Sequence, residues 1–176
     1  GGYAWLEPLQ LNSNGGNYLD CTTQESIISA EYIRDRIIVK FERSIWELTY
    51  TGNPIEPFVW NQINSDFGSI STFGTVAFND IVFSVSNSGI YACDGSSVSR
   101  IDSDIKDYVY NIKTDATGTA RVHGIRDFKS ELIYWTMPLA NKTPNSVFPN
   151  TVLVYNYQNK TWSENDDCIT AFGYFE

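Results

Sequence analysis

The sequence predicts an all-β fold made of repeated antiparallel four-stranded units, with one short helix near residues 102–112. Three observations predict this fold. A six-residue strand pattern occurs three times, its copies start 44 and then 51 residues apart, and aromatic residues make up 15% of the chain. Aromatic and β-branched side chains suit the pleated, half-buried surface of a sheet.

The recurring strand reads RIIVKF at 36–41, DIVFSV at 80–85 and ELIYWT at 131–136. Each copy begins with a charged residue and continues with residues of strand character. Successive side chains of a strand point to opposite faces, so alternate apolar residues predict one buried face. In the first two copies these residues are Ile37, Val39 and Phe41, and Ile81, Phe83 and Val85.

Three further strands complete each unit. Tight turns at 42–44 and 87–89 lead to partner strands at 45–48 and 90–93, because Asn, Ser and Gly tolerate turn conformations. In the third unit a long polar loop, 138–150, comes before the partner strand. The remaining strands are predicted as inner strands at 27–32, 74–78 and 120–125, and outer strands at 58–61, 97–100 and 161–163.

Four short strands repeated every 40 to 50 residues are typical of β-propeller blades. The sequence therefore predicts a partial β-propeller of about three to four blades, with units at about 27–64, 70–101 and 119–164. We expect residues 1–176 to form one propeller-like segment of a longer chain. Strands at 3–10 and 169–175 would then belong to the preceding and following blades.

One segment has helical spacing instead of strand alternation. Ile105, Tyr108, Val109 and Ile112 recur at helical intervals after a Ser/Asp start. We expect a short helix over 102–112 that links the second and third units.

The net charge of −9 limits the classes of partner. Tight DNA binding requires several Lys or Arg side chains against phosphates, and the sequence has no basic run. No apolar run approaches the roughly 18 residues that a membrane-spanning helix needs. We expect neither specific nucleic-acid binding nor a membrane span. The three distant cysteines, Cys21, Cys93 and Cys168, predict reduced and buried thiols.

The residue types that catalysis needs do not form a recognisable motif. His123 is the single histidine, and its strand-like surroundings predict a structural or surface role. The acidic groups Asp102/Asp104/Asp107 and Glu164/Asp166/Asp167 are the candidates for a glycosidase carboxylate pair or a weak Ca²⁺ site. Asp at a helix start caps free backbone N–H groups instead. We therefore expect no enzyme activity, no catalytic or metal site and no cofactor.

The tryptophans are predicted to pack between sheets, where large rings fill space. A carbohydrate-binding module would instead expose several of these rings in one groove. The candidates for such a groove are Trp46, Trp135 and Trp162, with Trp60 as a further core ring.

Six segments of the chain form a recognisable set: FERSIWEL at 41–48, GIYACDG at 89–95, GIRDF at 124–128, VYNY at 154–157, TWS at 161–163 and FGYF at 172–175. Together they resemble large bacteriophage virion proteins of the tail and head–tail region, over residues 27 to the end. A looser likeness in fold extends to the propeller-bearing tail-nozzle and DNA-stabilisation proteins of short-tailed phages.

The resemblance implies a structural component of a phage tail or head–tail connector. Such a protein would be located in the virion after assembly in the host cytoplasm. It would contact other virion subunits, form part of a homo-oligomeric ring on the DNA exit path and let DNA pass without adhering. A carbohydrate- or receptor-binding propeller module is the alternative, and a glycosidase is a minor one.

Overall fold

The computed structural model describes residues 19–113, 121–143 and 147–175. Twelve strands in these ranges form three antiparallel four-stranded sheets. Within each sheet every strand pairs with its neighbours in sequence, as the hairpin turns predict. The predicted all-β fold of four-stranded blades is therefore confirmed, and the sheets are named blades 1, 2 and 3 in chain order.

The bounds of the elements are as follows. Blade 1 contains β1 (Ile27–Ile33), β2 (Arg36–Phe41), β3 (Ile45–Tyr50) and β4 (Phe58–Asn64). Blade 2 contains β5 (Thr75–Ala77), β6 (Val82–Ser86), β7 (Gly89–Cys93) and β8 (Val98–Arg100). Helix α1 (Lys106–Tyr110) follows, and blade 3 contains β9 (His123–Asp127), β10 (Leu132–Met137), β11 (Thr151–Asn156) and β12 (Thr161–Asn165).

The three blades stack face to face in chain order. Between blades 1 and 2, Ile33, Ile38 and Ile45 pack with Val82, Tyr91 and Cys93, and these residues define the 1–2 interface. The 2–3 interface contains Val76, Phe83, Val85, Ile90 and Ala92 with Ile133, Trp135, Leu153 and Tyr155.

The inner strands of the three blades lie against one another. The Ser29 hydroxyl on β1 lies 3.3 Å from the Thr75 hydroxyl on β5. A Cβ on Gly124 of β9 would lie 2.8 Å from a Val76 methyl of β5, so only glycine fits there. Inner strands that converge in a fan of stacked sheets are the arrangement of a propeller. The described residues form three such blades in an open arc.

The predicted faces of the central strands are buried, with Val39, Phe41, Phe83 and Val85 in the core, but the opposite faces of β2 and β6 are buried as well. All five residues of β6 and all five of β7 are buried, because blade 2 lies between two other sheets. In β2 the residues of both faces from Ile38 to Phe41 are buried. Strands covered on both faces need apolar or hydrogen-bonded side chains throughout, and alternation alone does not reveal them.

Several predicted boundaries also need correction. Helix α1 is one turn over Lys106–Tyr110, shorter than the predicted 102–112, and no side chain caps its start. Residues 169–175 form no strand. The inner strand of blade 2 is shorter than predicted, and that of blade 3 begins later than predicted. The predicted strand at 3–10 and residue 120 lie outside the described residues. In the described ranges, no helix has the length and apolarity that crossing a membrane requires.

Candidate functional site

The first acidic group does not converge on one point. Asp102 is fully buried and accepts hydrogen bonds from Arg100, 2.6 Å from Nε and 3.2 Å from Nη2. This hydrogen bond raises the pKa of the Arg100 guanidinium. Asp104 and Asp107 are exposed. Asp102 therefore fixes the connection between β8 and α1, and the carboxylates do not form a pair across a cleft.

The second acidic group joins three parts of the chain. Lys142 donates hydrogen bonds to both Glu164 and Asp166, and the Tyr108 hydroxyl donates to Glu164. The hydrogen bond to Glu164 raises the pKa of Tyr108. These contacts tie the end of β12 to the long loop and to α1. Throughout residues 19–113, 121–143 and 147–175, no three His, Cys, Asp or Glu side chains form a group that could hold a metal ion.

His123 packs among aromatic rings at the start of β9. Its ring stacks on Phe73 at a centroid distance of 5.4 Å and an interplanar angle of 18°, and Phe172 lies 5.8 Å away. Burial lowers the pKa of the imidazole. Its Nδ1 is buried and has no hydrogen-bond partner among the described residues.

The three candidate tryptophans do not share an exposed groove. Trp135 is fully buried and donates a hydrogen bond to the Gly74 carbonyl at 3.0 Å, while the half-buried Trp162 stacks against it. Trp46 is 9% exposed and belongs to a separate cluster with Val39 on blade 1. The groove that the carbohydrate-binding alternative requires of these rings is not formed.

The cysteines are free, but only one is buried. Cys93 lies in the 1–2 interface, Cys21 is half-buried and Cys168 is exposed. The expectation of three buried thiols is therefore wrong. Cys168 follows β12 in a segment without strand pairing, which leaves its side chain in solvent.

A network of hydroxyl groups runs through the 1–2 interface. The Thr75 hydroxyl lies 3.0 Å from that of Ser84, and Ser84 donates to Ser69 at 3.3 Å. Lys40 Nζ donates to Thr75 at 3.4 Å. Buried hydroxyls need partners, and here they satisfy one another.

Lys40 is the unusual member of this network. Its side chain is 0% exposed, and Nζ lies 5.7 Å from the centroid of the Tyr91 ring. Burial lowers the pKa of Lys40 to about 7, against its ordinary value of 10.5. Water solvates an ammonium ion far better than a protein interior does, so burial favours the neutral amine.

A cleft of about 470 Å³ lies on the outward face of blade 3, the face turned away from blade 2. Ile125, Tyr134 and Val152 line it from the sheet. The C-terminal segment lines it with Asp167, Ile169, Phe172, Gly173 and Tyr174. The Thr136 hydroxyl donates to the Ile169 carbonyl, which holds this segment against the sheet.

Aromatic rings and one guanidinium group lie beside this cleft. The Arg126 guanidinium lies 3.7 Å from the Phe78 ring centroid and 4.6 Å from that of Phe128. The ring centroids of Phe128 and Tyr174 lie 5.6 Å apart. The two rings are 65% and 60% exposed, so they form an apolar rim that ligands or partners can reach.

Sequence reasoning missed both Lys40 and this aromatic rim. A charged residue inside the β-branched run Ile38-Val39-Lys40-Phe41 was the available signal for Lys40. The rim joins Phe128, from the turn after β9, and Tyr174, from the C-terminal segment, which only the fold brings together. A comparison with protein-family models and with curated proteins finds no match to this chain.

Proposed function

We propose that this protein is a structural module that assembles with other virion subunits in a phage tail or head–tail connector. In this role it forms part of a homo-oligomeric ring on the DNA exit path. The observation that carries the proposal is the open arc. Propellers generally have at least four blades, so a three-bladed arc ends in two terminal blades, and further protein can pack on the apolar residues that remain exposed there.

Apolar side chains at both ends of the arc support this role. The Tyr50 and Phe58 rings contact each other, as do those of Phe128 and Tyr174, and contiguous exposed apolar residues are typical of interaction surfaces. The exposed residues are Tyr32, Tyr50, Ile55 and Phe58 in blade 1 and its β3–β4 loop, and Phe128, Tyr174 and Phe175 at blade 3.

The net charge of −9 suits a wall along which DNA moves. A protein that neutralised phosphates with Lys or Arg would retain DNA by counterion release. An acidic surface instead repels the phosphates, so DNA passes with little adhesion.

Two measurements on the full-length protein test this function. Light scattering after size-exclusion chromatography gives its mass in solution, and gold-labelled antibodies locate it on particles released from the producing cell. We expect a homo-oligomer and labelling at the tail or connector. A monomer that is absent from particles would exclude the proposal.

Saccharide binding at the blade 3 cleft is the second candidate. It is favoured by the exposed Tyr174 ring beside the acceptor side chains of Asn165 and Asp167. Aromatic faces pack on the apolar face of a sugar, while acceptors bind its hydroxyls. We expect glycan-array binding that Tyr174→Ala weakens and that Tyr110→Ala, an equally exposed ring on α1, leaves unchanged. An array without any bound glycan would remove this candidate.

A further inference from the structure

The two interfaces of the arc differ in their apolar content. The 2–3 interface buries Trp135, Leu153 and Tyr155 with many aliphatic side chains. The 1–2 interface has a smaller apolar cluster and also buries Lys40. Apolar burial stabilises by roughly 25 cal/mol per Å², so the smaller cluster resists separation less. Parts of a protein with fewer buried apolar contacts open at lower free energy.

The surroundings of Lys40 provide little compensation for a positive charge. Lys40 Nζ donates a hydrogen bond to one hydroxyl, that of Thr75, at the long distance of 3.4 Å. Among the described residues no carboxylate lies within ion-pair distance of Nζ. A buried ammonium without a carboxylate partner is unfavourable, whereas the neutral amine is tolerated.

We propose that the arc opens along the 1–2 interface and that Lys40 takes up a proton when it opens. In the closed arc, neutral Lys40 lies within the hydroxyl network. In the open form, water solvates the ammonium ion. The proposal concerns this chain alone and does not depend on what the arc assembles with.

The direction of the pH dependence follows from the two states. Lys40 has a pKa of about 7 when closed and its ordinary value of 10.5 when solvated. Between these values the open form holds one more proton, so lowering the pH favours opening, by about tenfold per pH unit at most. Below about pH 7 the closed form is also protonated, and the dependence levels off.

Two titratable groups of β7 also face this interface. Burial raises the pKa of both Tyr91 and Cys93, so both remain protonated. Arg36 and Glu47 form an ion pair at 3.3 Å, and the Arg36 guanidinium also donates to the Gly95 carbonyl of blade 2. The facing groups are Glu31 on β1, Arg36 on β2, Glu47 on β3, and Tyr91 and Cys93 on β7.

Adjacent residues of β7 provide a matched pair of reporters. Cys93 faces the 1–2 interface, whereas Ala92 faces the 2–3 interface. In a Cys21→Ser/Cys168→Ser background, thiol labelling of Cys93 reports opening between blades 1 and 2. Adding Cys93→Ser and Ala92→Cys makes the same assay report opening between blades 2 and 3. A peptide of residues 88–97 gives the intrinsic labelling rate at each pH.

We expect the opening constant at Cys93 to fall about fifteenfold from pH 7.0 to 8.5, as release of one proton requires. Lys40→Met should remove this pH dependence, and Lys160→Met, which changes an exposed lysine, should retain it. The Ala92→Cys reporter should label more slowly and show no such dependence. Equal labelling and equal pH profiles at the two reporters would overturn the proposal. If Lys40→Met does not fold, a pH-independent opening constant at Cys93 would overturn it equally.

Discussion

At the scale of single residues, Gly68 has the least room for a side chain among the glycines that the structure describes. A Cβ there would lie 2.3 Å from the Phe41 carbonyl oxygen, and the Gly68 carbonyl accepts the Tyr91 hydroxyl at 2.6 Å. Because the clash is with backbone, the sheet itself must move. Gly68→Ala should lower the free energy of unfolding by about 3 kcal/mol in urea denaturation. At Gly173 a Cβ would have nothing within 4 Å, so Gly173→Ala should leave the free energy of unfolding unchanged. Equal losses of stability in the two variants would contradict the close packing at Gly68.

Lys40 lowers the stability of the protein at neutral pH. Its folded pKa of about 7 lies below the ordinary 10.5, so the unfolded chain binds more protons between these values and stability rises with pH there. Lys40→Met keeps the volume and removes the charge. We expect it to raise the free energy of unfolding by about 3 kcal/mol at pH 7 and by less at pH 10. A destabilised variant at both pH values would show that the amine is well accommodated.

At the scale of elements, the ion pair between Arg100, the last residue of β8, and the buried Asp102 fixes the path into α1. Arg100→Ala would leave Asp102 buried without its partner, which should cost about 3 kcal/mol of unfolding free energy. Lys142→Ala removes the cation that pairs with Glu164 and Asp166. Because all three side chains are at least partly exposed, the variant should lose less than about 1 kcal/mol of unfolding free energy. Chemical denaturation of the two variants compares a pair whose carboxylate is buried with pairs whose carboxylates are partly or largely exposed, and equal losses of unfolding free energy would contradict the difference.

The strands could be predicted because their sequence pattern is strong. The repeated central strands begin within two residues of their predicted positions, and β2 matches its prediction in full. The helix was overestimated because Asp102, taken as a helix-start residue, binds Arg100 instead. Residues 169–175 have strand-like composition, yet they pack on the outward face of blade 3 without pairing.

The interfaces between blades could not be predicted from a single repeat. Which face of a strand is covered depends on the neighbouring sheet, and β6 and β7 are covered on both. For the same reason the burial of Lys40 follows from blade 2 lying against blade 1, not from its own strand. The expectation that tryptophans pack between sheets is confirmed for Trp135, whose ring fills the 2–3 interface.

At the scale of the whole molecule, the acidic charge predicts weak contact with DNA. With 21 acidic and 12 basic residues, few phosphates can be neutralised. Fluorescence anisotropy with a labelled duplex at low salt should show no saturable binding. Saturable binding that weakens steeply with salt would reveal a basic surface. That result would contradict the proposal that DNA passes this protein with little adhesion.

We propose that the open arc of three blades serves as a building block of a larger ring. Single-particle electron microscopy of the full-length protein tests it most directly. We predict closed rings in which neighbouring subunits meet through the terminal blades of the arc. Particles that remain single arcs at high concentration, with both terminal blades in solvent, would contradict the claim.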